Sequence, residues 1–160
     1  MGICGTGKSS VASRLAERLG LSFVEADDYH SAEAVARMAQ GDALIDDDRW
    51  DWLDRVAKAS HAAGKPTAIA CSALKQAYRD RLEQRLGPLD VIFLNGDRDL
   101  IAERMASRPG HYMPASLIDS QLADLQPPSG ADVLALDIAE PLDRLVDAAH
   151  EFVTRHHDAT

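Results

Sequence analysis

Near its amino end the chain reads Gly2-Ile3-Cys4-Gly5-Thr6-Gly7-Lys8-Ser9. This matches the pattern Gly-x4-Gly-Lys-Ser/Thr of a phosphate-binding loop, whose glycines let the backbone curl until successive N–H groups face a triphosphate. Apolar residues then recur at helical spacing over 8–19, so the positive end of a helix is directed at the same ligand. The pattern predicts that Lys8 reaches the β- and γ-phosphate oxygens and that Ser9 ligates magnesium. The residues expected to hold the nucleotide are Gly2, Gly5, Thr6, Gly7, Lys8, Ser9 and Ser10.

Length and composition restrict the kind of protein that carries this loop. The chain has 160 residues, of which 46% are hydrophobic, and a formal net charge of −9. A chain of this length buries roughly two thirds of its unfolded surface, so a single folded domain over 1–160 is expected and disorder is excluded. The acidic excess argues against a nucleic-acid partner. No apolar stretch approaches the ~20 residues of a membrane span, so we expect a cytoplasmic protein with no membrane contact.

Two periodicities alternate along the chain. Helical spacing predicts helices over 8–19, 31–40, 52–64, 74–86, 98–107, 116–125 and 141–155. Short apolar runs predict strands over 22–25, 67–71, 91–94 and 133–137. The acidic run 46–48 is expected to be a loop, and His156-His157 a polar tail. Strands separated by helices predict an α/β fold with a parallel sheet sandwiched by helices.

One element of such a fold is missing from the sequence. A phosphate loop of this type normally follows a buried central strand, whereas only Met1 precedes Gly2. The first strand is therefore expected to be absent. The sequence leaves two explanations open: the true start lies upstream, or the chain is an inactive nucleotide-binding relic.

The class of phosphate-loop protein can be narrowed by elimination. A guanine-nucleotide switch needs Asn/Thr-Lys-x-Asp, and the nearest candidate, Asn95-Gly96-Asp97-Arg98, does not fit. A motor-type ATPase carries a carboxylate after an apolar strand, whereas the run 67–71 is followed by Ser72. The remaining class is the small-molecule kinase, with a flap expected over 104–125.

Several segments outside the loop resemble the gluconokinase family in order and spacing, over 1–142. They are Glu25-Ala26-Asp27-Asp28-Tyr29-His30, Gly41-Asp42-Ala43-Leu44-Ile45-Asp46-Asp47-Asp48-Arg49 with Trp52-Leu53, Cys71-Ser72-Ala73-Leu74-Lys75, Tyr78-Arg79-Asp80, Arg104, Arg108, Gly110-His111 and Gln121. The resemblance implies a nucleoside-monophosphate-kinase-like fold with five parallel strands. It also implies transfer of the γ-phosphoryl group of ATP to gluconate, use of Mg²⁺, and a homodimer.

The chain departs from the family pattern around the second strand. Glu25-Ala26-Asp27 stands where the family has Asp-Gly-Asp, His30-Ser31 replaces His-Pro, and Ala34 replaces an Asn. Asp51-Trp52 replaces Pro-Trp. These changes leave open a kinase of the same fold that acts on another small hydroxy acid, such as shikimate.

Catalytic roles follow from what phosphoryl transfer requires. Asp27, at the carboxyl end of a strand, is expected to take or orient the acceptor proton, with helix capping as the alternative. Glu25 is expected to hold a magnesium-bound water beside Ser9. Arg104 and Arg108 lie four residues apart and run into the flap, where closure would bring them to the phosphates. A surface pair near a helix end is the alternative for the two arginines.

The acceptor is a linear hydroxy acid if the resemblance holds, so its site needs cations and hydrogen-bonding groups. Together with Asp27, the residues expected to bind it are His30, Arg49, Lys75, Arg79 and His111. An Arg can grip a carboxylate with two hydrogen bonds, whereas a Lys acts as a point charge. The residues alone equally permit Arg49 to pair with Asp46 or Asp48, and Lys75 with Arg79 to form a solvated helix face.

Overall fold

The computed structural model describes residues 1–107 and 115–158, and its elements alternate as predicted. The helices are α1 (Lys8–Leu19), α2 (Ala32–Ala39), α3 (Asp46–Ala62), α4 (Gln76–Leu86), α5 (Arg98–Ala106), α6 (Ala115–Asp124) and α7 (Leu142–Asp158). The strands are β1 (Ser22–Glu25), β2 (Thr67–Ala70), β3 (Val91–Asn95) and β4 (Val133–Asp137). A 3-10 turn, Ala26–Tyr29, follows β1. The predicted α/β class is confirmed.

Local sequence sets the ends of the first helices. Gly7 and Gly20 bound α1 in left-handed conformations, with φ of 88° and 67°. Val11 and Leu15 lie buried on its inner face. Ser31 caps α2, because its hydroxyl accepts a hydrogen bond from Ala34 N at 3.0 Å. These boundaries agree with the predicted ones.

Two predictions of local structure were wrong. The acidic run 46–48 is the first turn of α3 rather than a loop, because carboxylates are favoured at a helix N-terminus. Asp48 also accepts a hydrogen bond from Ile45 N at 3.4 Å. The helix α7 continues to Asp158, so His156 is helical and its Nδ1 lies 2.8 Å from Asp90 Oδ1.

The four strands form two separate parallel pairs. In the first pair Ser22–Glu25 of β1 lies opposite Thr67–Ala70 of β2. In the second pair Val91–Asn95 of β3 lies opposite Val133–Asp137 of β4. The described residues contain these four strands and none ahead of the phosphate loop, so they do not form the single five-stranded sheet that the resemblance implies. Met1 is hydrogen-bonded to β3 of the second pair. Its amino group donates to Ile92 O at 2.6 Å, and its carbonyl oxygen accepts from Leu94 N at 2.9 Å.

Two apolar clusters support the loop from either side. Leu94, Ile101 and Ile138 belong to the first, which packs beneath the second strand pair. Leu53 and Val56 belong to the second, which packs α3 against the first pair. Cys4 and Cys71 form no disulfide. Among the helices of the described ranges, none is long and apolar enough to cross a membrane.

Candidate active site

The phosphate loop leads into α1 with its helix end uncapped. The N-cap residue Gly7 makes no side-chain hydrogen bond, so among the described residues the first N–H groups of α1 and the helix dipole are available to an anion. Thr6 is buried and its Oγ1 donates to Ile3 O at 2.8 Å, which holds the loop closed on itself. Lys8 Nζ donates to the same carbonyl at 2.8 Å. Burial lowers the pKa of Lys8, and the carboxylate charge of Asp27 opposes that shift.

The loop residues divide into those that pack and those that face solvent. Gly2 donates its N–H to Ser72 O at 3.3 Å, and a Cβ at Gly2 would lie 2.5 Å from Leu94 O. Gly2 is thus required for close packing of the backbone. Ser10 is exposed in the first turn of α1. The nucleotide contacts predicted for the loop remain predictions.

Ser9 and Glu25 form the expected oxygen pair at the end of β1. The Ser9 hydroxyl donates a hydrogen bond to the Glu25 carboxylate. Hydroxyl and carboxylate oxygens are ligands that suit Mg²⁺, which usually completes its shell with water and substrate phosphates. No group of three or more His, Cys, Asp or Glu side chains gathers to hold a metal within 1–107 and 115–158. The pair therefore fits magnesium carried in with a nucleotide better than a metal held by protein alone.

Asp27 lies in the 3-10 turn after β1, beside His30. The His30 Nε2 atom is 3.8 Å from Asp27 Oδ1, and the His30 ring stacks on Trp52 with centroids 4.4 Å apart. His30 lowers the pKa of Asp27, and the Lys8 ammonium adds to this effect against the opposing effect of desolvation. Asp27 is consequently a carboxylate at neutral pH, charged and directed by its neighbours.

Trp52 fixes this turn to the rest of the site. Its Nε1 donates to Ala26 O at 2.6 Å, one residue before Asp27. The same side chain covers the His30 ring, whose Nδ1 is buried without a hydrogen-bond partner in the described structure. Trp52 also follows Arg49 by one helical turn on α3. The helix therefore links the carboxylate turn to the cations described next.

A compact charged cluster lies between α3 and α4. The Tyr78 hydroxyl donates to Asp46 Oδ1 at 2.7 Å, and Arg49 Nη1 donates to the same oxygen at 3.2 Å and to the Tyr78 oxygen at 3.0 Å. Lys75 Nζ is 3.8 Å from that Asp46 oxygen. The Tyr78 hydrogen bond, and after it the charges of Lys75 and Arg49, lower the pKa of Asp46. Three donors thus converge on one carboxylate.

Arg79 occupies a different environment from the other predicted cations. Its side chain is buried, and Nη1 donates to the carbonyls of Ala73 at 2.8 Å and Leu74 at 3.1 Å. Its Nη2 donates to Gln76 Oε1 at 2.7 Å and Gln126 O at 2.8 Å. With its donors directed at the chain itself, Arg79 is positioned to fasten the start of α4. This geometry favours a structural role over the substrate contact that the sequence predicted.

The structure describes only some of the residues predicted to form the flap. Arg104 Nη2 donates to Ile138 O at 2.6 Å, after β4. Arg108 and His111 lie outside the described residues, so their predicted roles stay predictions. Gln121 on α6 accepts a hydrogen bond from Cys4 N at 2.7 Å through its Oε1 atom. The helix α6 therefore contacts the phosphate loop directly.

Sequence reasoning missed how some of these groups meet. Asp46 was considered only as an alternative partner for Arg49, and that pairing is present. The sequence does not predict that Tyr78 and Lys75 converge on the same oxygen. Arg49 and Tyr78 are 29 residues apart, and no local spacing indicates that their helices meet. The i,i+3 spacing of Asp27 and His30 was a signal that could have suggested their pairing.

A phosphate loop opening a helix within parallel α/β layers, with a carboxylate turn and a cation cluster beside it, defines a P-loop kinase. Residues 1–128 match the family model described as an AAA domain. The chain belongs to the gluconokinase family. It is 38% identical over 160 residues to the thermoresistant gluconokinase of Escherichia coli, covering 97% of this chain and 91% of that protein. It is 39% identical over 166 residues to the gluconokinase of Gluconobacter oxydans, covering 99% and 89%.

A solved structure has the same architecture. The crystal structure of a gluconokinase from Sinorhizobium meliloti superposes with a TM-score of 0.90 at 41% identity, covering 99% of this chain and 91% of that one. The family resemblance seen in the sequence motifs is confirmed.

Proposed function

We propose that this protein transfers the γ-phosphoryl group of ATP to gluconate, giving 6-phosphogluconate. The observation that carries the proposal is a cation cluster that holds a carboxylate between α4 and α3, the helix that also anchors the Asp27 turn. A nucleotide site alone would fit many kinases. The cluster adds what a hydroxy acid needs, a set of donors for its carboxylate, and α3 links that set through Trp52 to the turn that carries a proton-accepting group.

The loop residues account for nucleotide binding. The free N–H groups at the start of α1 would receive the phosphates, and Lys8 would exchange its bond to Ile3 O for the γ-phosphate oxygens. A cation held in a buried position stabilises charge that develops on the transferring group more strongly than one in water. Ser9 and Glu25 would hold Mg²⁺, which neutralises phosphate charge when bound.

Asp27 would orient the acceptor hydroxyl and take up its proton as the new P–O bond forms. Its lowered pKa keeps it ionised at neutral pH, so it accepts the proton only as the hydroxyl becomes acidic in the transition state. His30 and Trp52 hold its turn in place. A hydroxyl of the acceptor would thereby lie in line with the γ-phosphate.

The carboxylate of gluconate would replace that of Asp46 among Arg49, Lys75 and Tyr78. In the ligand-free chain Asp46 occupies these donors. A substrate carboxylate has the same charge and hydrogen-bonding geometry, and an Arg together with a Lys is a common means of holding it. Arg79 lies outside this cluster, since it is buried with its donors on main-chain carbonyls, and its predicted contact with the acceptor stays a prediction.

The flap residues complete the proposal. Arg104, Arg108 and His111 would act in the segment between α5 and α6, closing over the phosphates and the acceptor. The chain would work as a single kinase domain over 1–160, in the cytoplasm, as a homodimer. Gln121, already bonded to Cys4 N, would report closure to the phosphate loop.

The acceptor specificity is tested by ADP release with MgATP and a panel of acceptors. We expect release to depend on gluconate and to be weak with shikimate, glucose or no acceptor. Release that depends on shikimate would contradict the proposed substrate. If the protein binds MgATP but releases no ADP with any acceptor, the alternative of an inactive nucleotide-binding relic would be favoured.

The carboxylate site makes a separate prediction for Lys75. Lys75→Ala should raise KM for gluconate about 10- to 100-fold, the loss expected for a charge-assisted hydrogen bond, while KM for ATP stays nearly constant. Lys58, exposed on α3, supplies the matched control Lys58→Ala, which should leave both constants unchanged. A rise in KM for ATP instead would place Lys75 in the nucleotide site. Steady-state kinetics with each substrate varied in turn distinguish the outcomes.

A further inference from the structure

The segment that follows α6 is hydrogen-bonded to the turn that carries Lys75. The helix ends at Asp124, and the chain then reads Gln126-Pro127-Pro128. A residue that precedes a proline is restricted to extended backbone, so the sequence itself favours one backbone conformation at Gln126. The side chain of Gln126 is exposed, and its role is therefore to be sought in its hydrogen bonds rather than in apolar packing.

Two of these hydrogen bonds lie on either side of Lys75. Gln126 N donates to Leu74 O at 2.9 Å, and Gln126 Oε1 accepts from Gln76 N at 2.7 Å. The two groups belong to the two peptide units that flank the Cα atom of Lys75. Because each peptide unit is planar, holding both of them leaves the backbone of Lys75 little freedom. One residue from a distant part of the chain thus sets the direction in which the Lys75 side chain leaves the backbone.

The turn ahead of Lys75 needs support of this kind. Ala73 has a φ of 42°, which is uncommon for a residue with a Cβ atom. Such a conformation persists where the surrounding structure holds it. The buried guanidinium of Arg79 donates to Ala73 O at 2.8 Å, to Leu74 O at 3.1 Å and to Gln126 O at 2.8 Å. Gln126 therefore joins Arg79 in the network that holds the turn.

The position of the Lys75 ammonium depends on this support. Lys75 Nζ is 3.8 Å from Asp46 Oδ1 and 5.7 Å from the centroid of the Tyr78 ring. A lysine side chain has a flexible four-carbon stem, so its charge reaches a given oxygen only when the backbone beneath it is directed there. Movement of the turn would shift the ammonium away from the carboxylate that it now faces.

We propose that Gln126 is a positioning residue for Lys75, and that its side-chain oxygen thereby contributes to the affinity for an acidic acceptor. The inference rests on the proposed function, in which Lys75 holds the carboxylate of gluconate. Gln126 acts through Lys75, by the hydrogen bond from Gln76 N. It is therefore expected to affect acceptor binding and to leave the nucleotide site unchanged.

The variant Gln126→Met tests the proposal, because it keeps the length of the side chain and the main-chain hydrogen bonds but removes the accepting oxygen. We expect KM for gluconate to rise about 3- to 10-fold, the loss of one neutral hydrogen bond, while kcat and KM for ATP stay within about twofold. Gln84 is exposed on α4, and the matched control Gln84→Met should change none of these constants. An unchanged KM for gluconate in Gln126→Met, with gluconate-dependent activity present, would overturn the proposal.

The same substitution in a Lys75→Ala background separates positioning from a general effect on the fold. Once the ammonium is absent there is nothing left to position, so adding Gln126→Met should raise KM for gluconate by less than about twofold more. A structural role independent of Lys75 would instead give the full rise again. That additive result would overturn the proposal even if the single variant behaves as expected.

A measurement that needs no acceptor keeps the proposal distinct from the proposed function. The Tyr78 hydrogen bond, and after it the charge of Lys75, lower the pKa of Asp46. In Gln126→Met the pKa of Asp46 should therefore rise toward its usual value, whereas Gln84→Met should leave it lowered. Carboxyl-carbon NMR over a pH titration measures this in each protein. If the pKa of Asp46 is the same in Gln126→Met as in the unaltered protein, Gln126 does not position Lys75. This result holds whether or not gluconate supports ADP release, so failure of the substrate assignment is recognised separately.

Discussion

Replacing Lys8 by methionine is expected to lower kcat/KM for ATP by on the order of 10³-fold. The ammonium is the charged group that the loop aims at the transferred phosphoryl, and no other side chain of the loop carries a positive charge. Folding should survive, since burial already disfavours the charged form of this lysine. Steady-state kinetics with ATP varied, and circular dichroism of the variant, provide the measurement.

Lys65 offers a matched control for this experiment. Its Nζ also donates to a main-chain carbonyl, that of Gly20 at 3.2 Å, but it lies outside the phosphate loop. Lys65→Met should therefore keep the kcat/KM of the unaltered protein. A Lys8→Met variant as active as the Lys65→Met control would rule out the proposed role of the loop lysine.

The second large effect is expected at Asp27. Asp27→Asn should lower kcat by about 10²- to 10⁴-fold, the range for loss of a general base. The KM values for ATP and gluconate should change little, because the amide keeps the shape of the side chain. Asp28, the exposed neighbour in the same turn, gives the control Asp28→Asn, which should remain active. Unchanged kcat in Asp27→Asn would assign the residue to the structural capping that the sequence left as the alternative.

The unaltered protein and the Asp27→Asn variant should also differ in how their stability changes with pH. The pKa of Asp27 is lowered in the folded chain, so its ionised form stabilises the fold above the unfolded pKa of about 3.9. That contribution is lost as the pH falls through the lowered, folded-state pKa. Asp27→Asn should therefore be less stable than the unaltered protein at pH 7, with the difference shrinking under acid conditions. Urea unfolding at several pH values measures it.

Much of the fold could be predicted because its signals are local. The glycine and lysine spacing of the phosphate loop and the capping by Ser31 each act within a few residues. The prediction failed at 46–48, where acidic residues suit a loop and a helix start equally well. In the structure they form the first turn of α3, where Asp48 accepts a hydrogen bond from Ile45 N.

The contacts that individual side chains make were harder to predict from the sequence. Arg49, Lys75 and Arg79 are all cations near one helix pair, yet the first two meet Asp46 while the third is buried among carbonyls. Which oxygen each cation reaches depends on how α3 and α4 are packed, a contact between distant segments. Likewise, the link from Trp52 to Ala26 exists only once the helix lies against the strand.

By itself, the sequence determined the class of this protein and its family, because a phosphate loop and family motifs are patterns of residue type and spacing. The tertiary structure alone decided how the site is assembled and where the two strand pairs part. Those features arise from contacts between residues far apart in the chain, whose partners are chosen by packing and by the need to satisfy buried polar groups.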